Sequence, residues 1–130
     1  MDGLNAFNFG FQYLSTNPFL FVLLIGGCFY GIVFGAIPGL TGALAVTLLL
    51  PFTYAMDAVS GLTLLVAVYV GSISGGLISA ILLNIPGTPA AIVTVFDGHP
   101  MARQGRAGEA LLLGIFSSAL GGLFSGLCLI

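Results

Sequence analysis

Ile37-Pro38-Gly39-Leu40-Thr41-Gly42 interrupts a stretch apolar enough to lie in a lipid bilayer. Pro38 removes a backbone donor and disfavours helical geometry in the residue before it, while Gly39 admits backbone angles that other residues avoid. The stretch has an echo at Asn84-Ile85-Pro86-Gly87-Thr88-Pro89, again inside apolar sequence. Irregular backbone survives at membrane depth only where protein or a water-filled cavity surrounds it. Two such breaks therefore predict a buried polar site, and interrupted helices of this kind commonly carry solutes.

Outward from the breaks, composition sets the solvent. Of 130 residues 58% are hydrophobic and only 5% charged, with mean hydropathy +1.20. Soluble domains carry about 25% charged residues, so this composition describes a membrane protein. The charges are Asp2, Asp57, Asp97, Arg103, Arg106 and Glu109; His99 is the single histidine, and lysine is absent. A net charge of -2, without a patch of one sign, gives nucleic acid nothing to bind. Cys28 and Cys128 lie in apolar runs and read as small buried hydrophobes rather than a disulfide pair. The N-terminus lacks the basic region and cleavage site of a signal peptide.

Residues 1–17 predict an interfacial amphipathic helix: Asn5, Asn8, Gln12 and Ser15 recur opposite Leu4, Phe7, Phe11 and Leu14. Thr16-Asn17-Pro18 then reads as a cap with proline at the first helical position. Residues 18–130 predict a transmembrane bundle segment. Phe19 to Ile37 and Gly61 to Leu83 are long enough to cross a hydrocarbon core of about 30 Å, and Ala110 to Ile130 is a third such run. Ala43 to Leu50, closed by Pro51, and Ala90 to Phe96 read as short arms, either re-entrant or parts of kinked spans. Asp57 and Ser60 are candidate caps for the helix after Pro51. Residues 97–109 hold most of the charge and predict an aqueous loop, which Arg103 and Arg106 place in the cytoplasm. The apolar runs hold no Asp or Glu, hence no evident proton relay.

A weak internal repeat aligns Ile37-Pro38-Gly39 on Ile85-Pro86-Gly87 and Ala43 on Ala91. Three stripes of small residues recur at every fourth position: Gly27, Gly31, Gly35 and Gly39; Gly71, Gly75 and Ser79; Gly114, Ser118, Gly122 and Gly126. Such stripes let helix backbones approach closely in lipid.

The expected site lies at the breaks, at Pro38, Gly39, Leu40, Thr41 and Gly42 and at Asn84, Pro86, Gly87 and Thr88. Thr41 can cap a helix that starts at Gly42, and Thr88-Pro89 is a second cap and first-turn pair. Two helix N-termini would then offer free N–H groups and partial positive charge to an anion. Each end contributes up to about 2 kcal/mol when partly buried, whereas desolvating a carboxylate costs several. A multivalent anion therefore needs a co-bound cation or further donors. Ser72, Ser74 and Ser79 could add hydroxyls, and freed carbonyls near Asn84 could ligate Na⁺. His99, in an Asp-Gly-His-Pro turn, reads as a solvated loop histidine. No nucleophile-elbow pattern accompanies the serines, so the chain does not read as an enzyme.

Gly31-Ile32-Val33-Phe34-Gly35-Ala36-Ile37-Pro38-Gly39-Leu40, Leu49-Leu50-Pro51-Phe52-Thr53, Ile81-Leu82-Leu83-Asn84-Ile85-Pro86-Gly87 and Asp97-Gly98-His99-Pro100-Met101-Ala102-Arg103-Gln104-Gly105-Arg106-Ala107-Gly108 together resemble one family. That family is the large membrane subunit of the bacterial tripartite tricarboxylate transporters (TctA), and the resemblance covers nearly the whole chain. It implies an all-α polytopic bundle with Pro-Gly-interrupted helices, an incomplete part of a larger inverted-repeat transporter, since members are several-fold longer. It further implies uptake of tricarboxylates or related organic carboxylates across the inner membrane. The implied partners are a periplasmic solute-binding protein and a small membrane subunit, and a Na⁺ or H⁺ gradient would drive uptake without a bound cofactor. Where members often carry a further Gly-Pro after the first break, this chain has Thr41-Gly42. A passive channel or a non-transporting assembly subunit are the alternative readings.

Overall fold

A computed structural model describes residues 3–129. Helix α1 (Gly3–Thr16) precedes α2 (Pro18–Ala36), α3 (Gly42–Thr53), α4 (Ala58–Leu83), a 3₁₀ turn (Pro89–Ala91), α5 (Ile92–Arg103) and α6 (Ala107–Leu129). The described residues contain no strand. Helices α2, α4 and α6 are long and apolar enough to cross a membrane. The architecture is all-α, with interrupted helices as the sequence predicts. Residues 1, 2 and 130, which the expected segments include, lie outside the described residues.

Glycine contacts fix how the helices run. A Cβ built on Gly27 would meet Ala67 at 2.9 Å and Leu64 at 3.1 Å; on Gly31 it would strike the Val68 carbonyl, and on Gly35 the Ser72 carbonyl. Positions rise together along both chains, so α2 and α4 are parallel neighbours. The α4 stripe answers in kind, with Gly71 against the Cys28 backbone and Gly75 against Ile32 and Ala36. The glycines of two of the three expected stripes thus form one interface, in which a Cβ at Gly31, Gly35, Gly71 or Gly75 would strike the facing backbone. Gly39 leaves its stripe: it sits in the turn after α2, at φ +93.

Parallel neighbours need a return, and α3 supplies it. Gly42 lies against Ser72 and Tyr69, while Gly61 lies against Thr53, so α3 descends along α4. The helix runs through Pro51 to Thr53, past the expected stop. Its 12 residues rise only about 18 Å, against about 39 Å for the 26 of α4. The first break therefore stands at mid-height of α4.

α4 is capped by Asp57, whose carboxylate accepts from the Ser60 N–H at 3.1 Å. The Ser60 hydroxyl, and then its N–H, hold that carboxyl below its usual range. Beyond Leu83, Asn84 adopts a left-handed conformation (φ 60) and ends the helix. The chain turns back along α4, reverses at Thr88 and climbs again as α5, where Gly98 packs on Ile81. α6 then descends, with Gly114 beside Leu77. The third stripe stays open: a Cβ at Gly122 or Gly126 would meet nothing within 4 Å.

The loop expected over residues 97–109 needs correction. Residues 97–109 are not an extended loop: α5 runs through Pro100 to Arg103, and only 104–106 are non-helical. The reason is tertiary. Gly98 fits against the Ile81 side chain, and His99 Nδ1 hydrogen-bonds the Ile81 carbonyl at 3.0 Å. His99 is accordingly a half-buried helix-to-helix tie rather than a solvated loop histidine. The helix stops where Gly105 takes φ +79, with Gly105 N–H donating to Ala102 and Arg106 N–H to Met101, the hydrogen-bond pattern of a glycine-closed helix end. Arg106 then pairs with Glu109 through Nε at 2.9 Å.

Candidate functional site

The first break is a tight turn. Leu40 N–H donates to the Ile37 carbonyl at 3.1 Å across Pro38 and Gly39, and Thr41 is extended. Thr41 Oγ1 accepts from Leu44 N–H at 3.4 Å and its carbonyl from Ala45, so Thr41 caps α3 as the sequence predicts. The N–H groups of Gly42 and Ala43 have no carbonyl one turn earlier to bond. Gly42 brings them in, since a Cβ there would collide with the Ser72 hydroxyl.

The second break is longer. Asn84, Ile85 and Pro86 are exposed at the far end of α4, whereas Gly87 and Thr88 are buried. Gly87 sits where a Cβ would strike the Gly35 carbonyl and lie 2.5 Å from Ser79 Oγ. Thr88 is extended, and its carbonyl accepts from Ala91 N–H at 3.0 Å to open the 3₁₀ turn. Thr88 stands at the N-cap position with Pro89 in the first turn, as the sequence predicts, but its side chain makes no capping bond. The 3₁₀ turn takes its first bond from the Thr88 backbone, and the side chain packs on Gly76 instead. Thr88 Oγ1 is left buried with no partner among the described residues.

The two starts meet at one level of α4. Thr41, Gly42 and Ala43 at the start of α3, Tyr69, Ser72 and Ile73 from α4, and Thr88, Pro89 and Ala90 line an open cavity of about 420 Å³. α3 begins at this space and descends from it, while the Thr88–Ala90 segment borders it before α5 starts at Ile92. No charged side chain lines it. Backbone N–H groups and helix-end partial charge supply its field, which favours an anion. Ser72 Oγ donates to the Tyr69 carbonyl at 2.7 Å and is committed to its own helix.

Of the expected site residues, Thr41, Gly42 and Thr88 line this cavity. Gly87 lies behind it, holding the segment on α2 and α4. Pro38, Gly39 and Leu40 shape the turn without lining the space, and Asn84 and Pro86 stand away from it. Asn84 serves as the left-handed end of α4, and no carbonyl cluster near it joins the cavity. Ala43, Tyr69, Ile73 and Ala90 were not expected at the site. Tyr69 had a signal, a polar-tipped aromatic one turn from Ser72 in an apolar helix.

Comparison with known proteins gives two findings. Residues 20–130 match the family described as "Tripartite tricarboxylate transporter TctA family". The chain is also 37% identical over 126 residues to the "Uncharacterized 52.8 kDa protein in TAR-I ttuC' 3'region" of Agrobacterium vitis. That alignment covers 97% of this chain and 24% of the relative, so the chain spans about a quarter of the relative's length. No solved structure matches.

Proposed function

Because this chain belongs to the tripartite tricarboxylate transporter TctA family, we propose that it forms part of a membrane subunit that moves tricarboxylates or related organic carboxylates across the bacterial inner membrane. A periplasmic solute-binding protein delivers the solute, a small membrane subunit completes the assembly, and Na⁺ or H⁺ moves with it. The observation that carries this reading is the meeting of the α3 start and the Thr88–Ala90 segment at mid-height of a membrane-length helix. Discontinuous helices with N-termini turned to an anionic solute are a recurrent transporter device. The neutral lining explains the need for a co-transported cation, since helix ends alone do not offset desolvation of several charges. The positive-inside tendency of Arg103 and Arg106 supports a cytoplasmic position for the turn after α5.

Uptake by the complete tripartite system in proteoliposomes tests the reading. Gly39→Val forces a β-branched residue to φ +93, and Gly87→Val drives a side chain into the Gly35 carbonyl. Both should abolish gradient-driven carboxylate uptake while the protein still inserts. Full uptake by both variants contradicts the proposal, and gradient-independent flux without the binding protein favours a channel.

A further inference from the structure

We infer that one face of α6 seats a further membrane-spanning helix of the same polypeptide, from the region that the longer relative carries beyond the matched stretch. This goes beyond the transport reading: it rests on the chain being one part of a larger subunit, and on no particular solute. α6 has the length and hydropathy of a membrane span, yet none of its apolar window is buried, against 56% of that of α4. Exposure alone would suit a helix bathed in lipid, but the residues of one face do not. Gly114, Ser118, Gly122, Ser125 and Gly126 share that face at three- and four-residue spacing. Of the three α6 serines, Ser117 alone is hydrogen-bonded among the described residues, donating to the Gly114 carbonyl at 3.0 Å. Ser72, Ser74 and Ser79 of α4 likewise donate to carbonyls of their own helix. Ser118 and Ser125 do not, and a hydroxyl without a partner is costly in hydrocarbon. A facing helix supplies that partner, which an acyl chain lacks.

Two further observations place the incoming helix. The face continues an interface already formed: Gly114 packs on Leu77 of α4, and the same line runs on to Gly122 and Gly126, where a Cβ would meet nothing within 4 Å. Its far half is the floor of a trough of about 690 Å³, walled on one side by Gly3, Leu4 and Phe7 of α1. From Gly114 to Gly126 the face runs about 18 Å, more than three helical turns. The occupant follows by elimination. The glycines of α2 and α4 are spent on each other, so the described helices hold no second glycine face for α6. The alignment leaves about three quarters of the relative outside the match, ample length for further spans. The helix that fits is apolar, small at every fourth position on one face, and able there to accept from Ser118 and Ser125. In this chain by itself Gly122 stays open, so a methyl there is resisted only once that helix is in place.

The test is photo-crosslinking in native membranes, on the full-length subunit that contains this stretch, in its complete assembly. With Cys28 and Cys128 replaced by alanine, the conservative variants Ser118→Cys and Ser125→Cys are each labelled with a benzophenone maleimide. Phe116→Cys, at a position 67% exposed on the other side of α6, is the lipid-facing reference. The expected result, read by mass spectrometry, is a bond from both serine positions to a peptide of the same polypeptide outside the matched stretch, and lipid adducts alone from position 116. Lipid adducts alone from the serine positions would overturn the docking face. Adducts to a second copy of the subunit, or to a smaller membrane subunit, would overturn the occupant. Uptake is not the readout, so loss of the expected adducts leaves the transport reading standing. Failed carboxylate uptake with the expected adducts present would sink that reading and not this one.

Discussion

Gly31 and Gly122 differ in nothing but what faces them. A Cβ at Gly31 would enter the Val68 backbone, while one at Gly122 would meet open space. Gly31→Ala should destabilise the α2–α4 pair by about 1–3 kcal/mol, the usual cost of overpacking. Gly122→Ala should stabilise the protein by up to about 1 kcal/mol, the gain expected of Gly→Ala inside a helix. Thermal unfolding in detergent, followed by circular dichroism, distinguishes the two; equal effects would contradict the parallel packing. Four-residue spacing made this interface legible in the sequence, because periodicity alone marks a helix face. It could not say which stripe has a partner, so the α6 stripe looked equivalent. The Thr88 side chain departs from its expected capping bond for a related reason. A threonine before proline is a sound local cap signal, but the packing of Gly76 diverted the side chain.

α4 depends on its first residue and its last turn. The Asp57 carboxylate accepts from Ser60 and is held below its usual range by that residue's hydroxyl and N–H. A depressed carboxyl contributes stability above its ordinary pKa of 3.8 and loses it as pH falls through the lower folded value. Asp57→Ala should therefore melt below the unmodified protein at neutral pH, and the gap should close in acid below that range. A gap independent of pH would contradict the capping role. At the other end His99 ties α5 to the Ile81 carbonyl. His99→Leu should cost about 1 kcal/mol, the net worth of one such bond, measurable as faster amide exchange in α5. Asp97-Gly98-His99-Pro100 carries the local signals of a turn, and only the fit of Gly98 onto Ile81 makes it helix. Tertiary contact of that kind leaves no mark on local pattern.

For the whole molecule, the path of the chain makes a topological claim. The turn before α4 and the turn after α5 lie at opposite ends of α4, because α4 and α5 climb together. Single cysteines at Ala55 and Gln104, with Cys28 and Cys128 replaced, should be labelled by an impermeant maleimide from opposite sides of the membrane; labelling from one side would contradict the arrangement. The all-α bundle, the two breaks and the three membrane-length runs were all readable from hydropathy and from proline and glycine positions. The cavity was readable only in part. Thr41 and Gly42 announce a helix start, but nothing local shows that Tyr69 and Ser72 stand opposite them.

The central claim is that a carboxylate sits where α3 begins. The most direct measurement is solid-state NMR of the ¹⁵N-labelled protein in lipid, within its complete assembly, titrated with citrate. The backbone N–H resonances of Gly42 and Ala43 should shift saturably. Saturable uptake with both resonances unmoved would contradict the account.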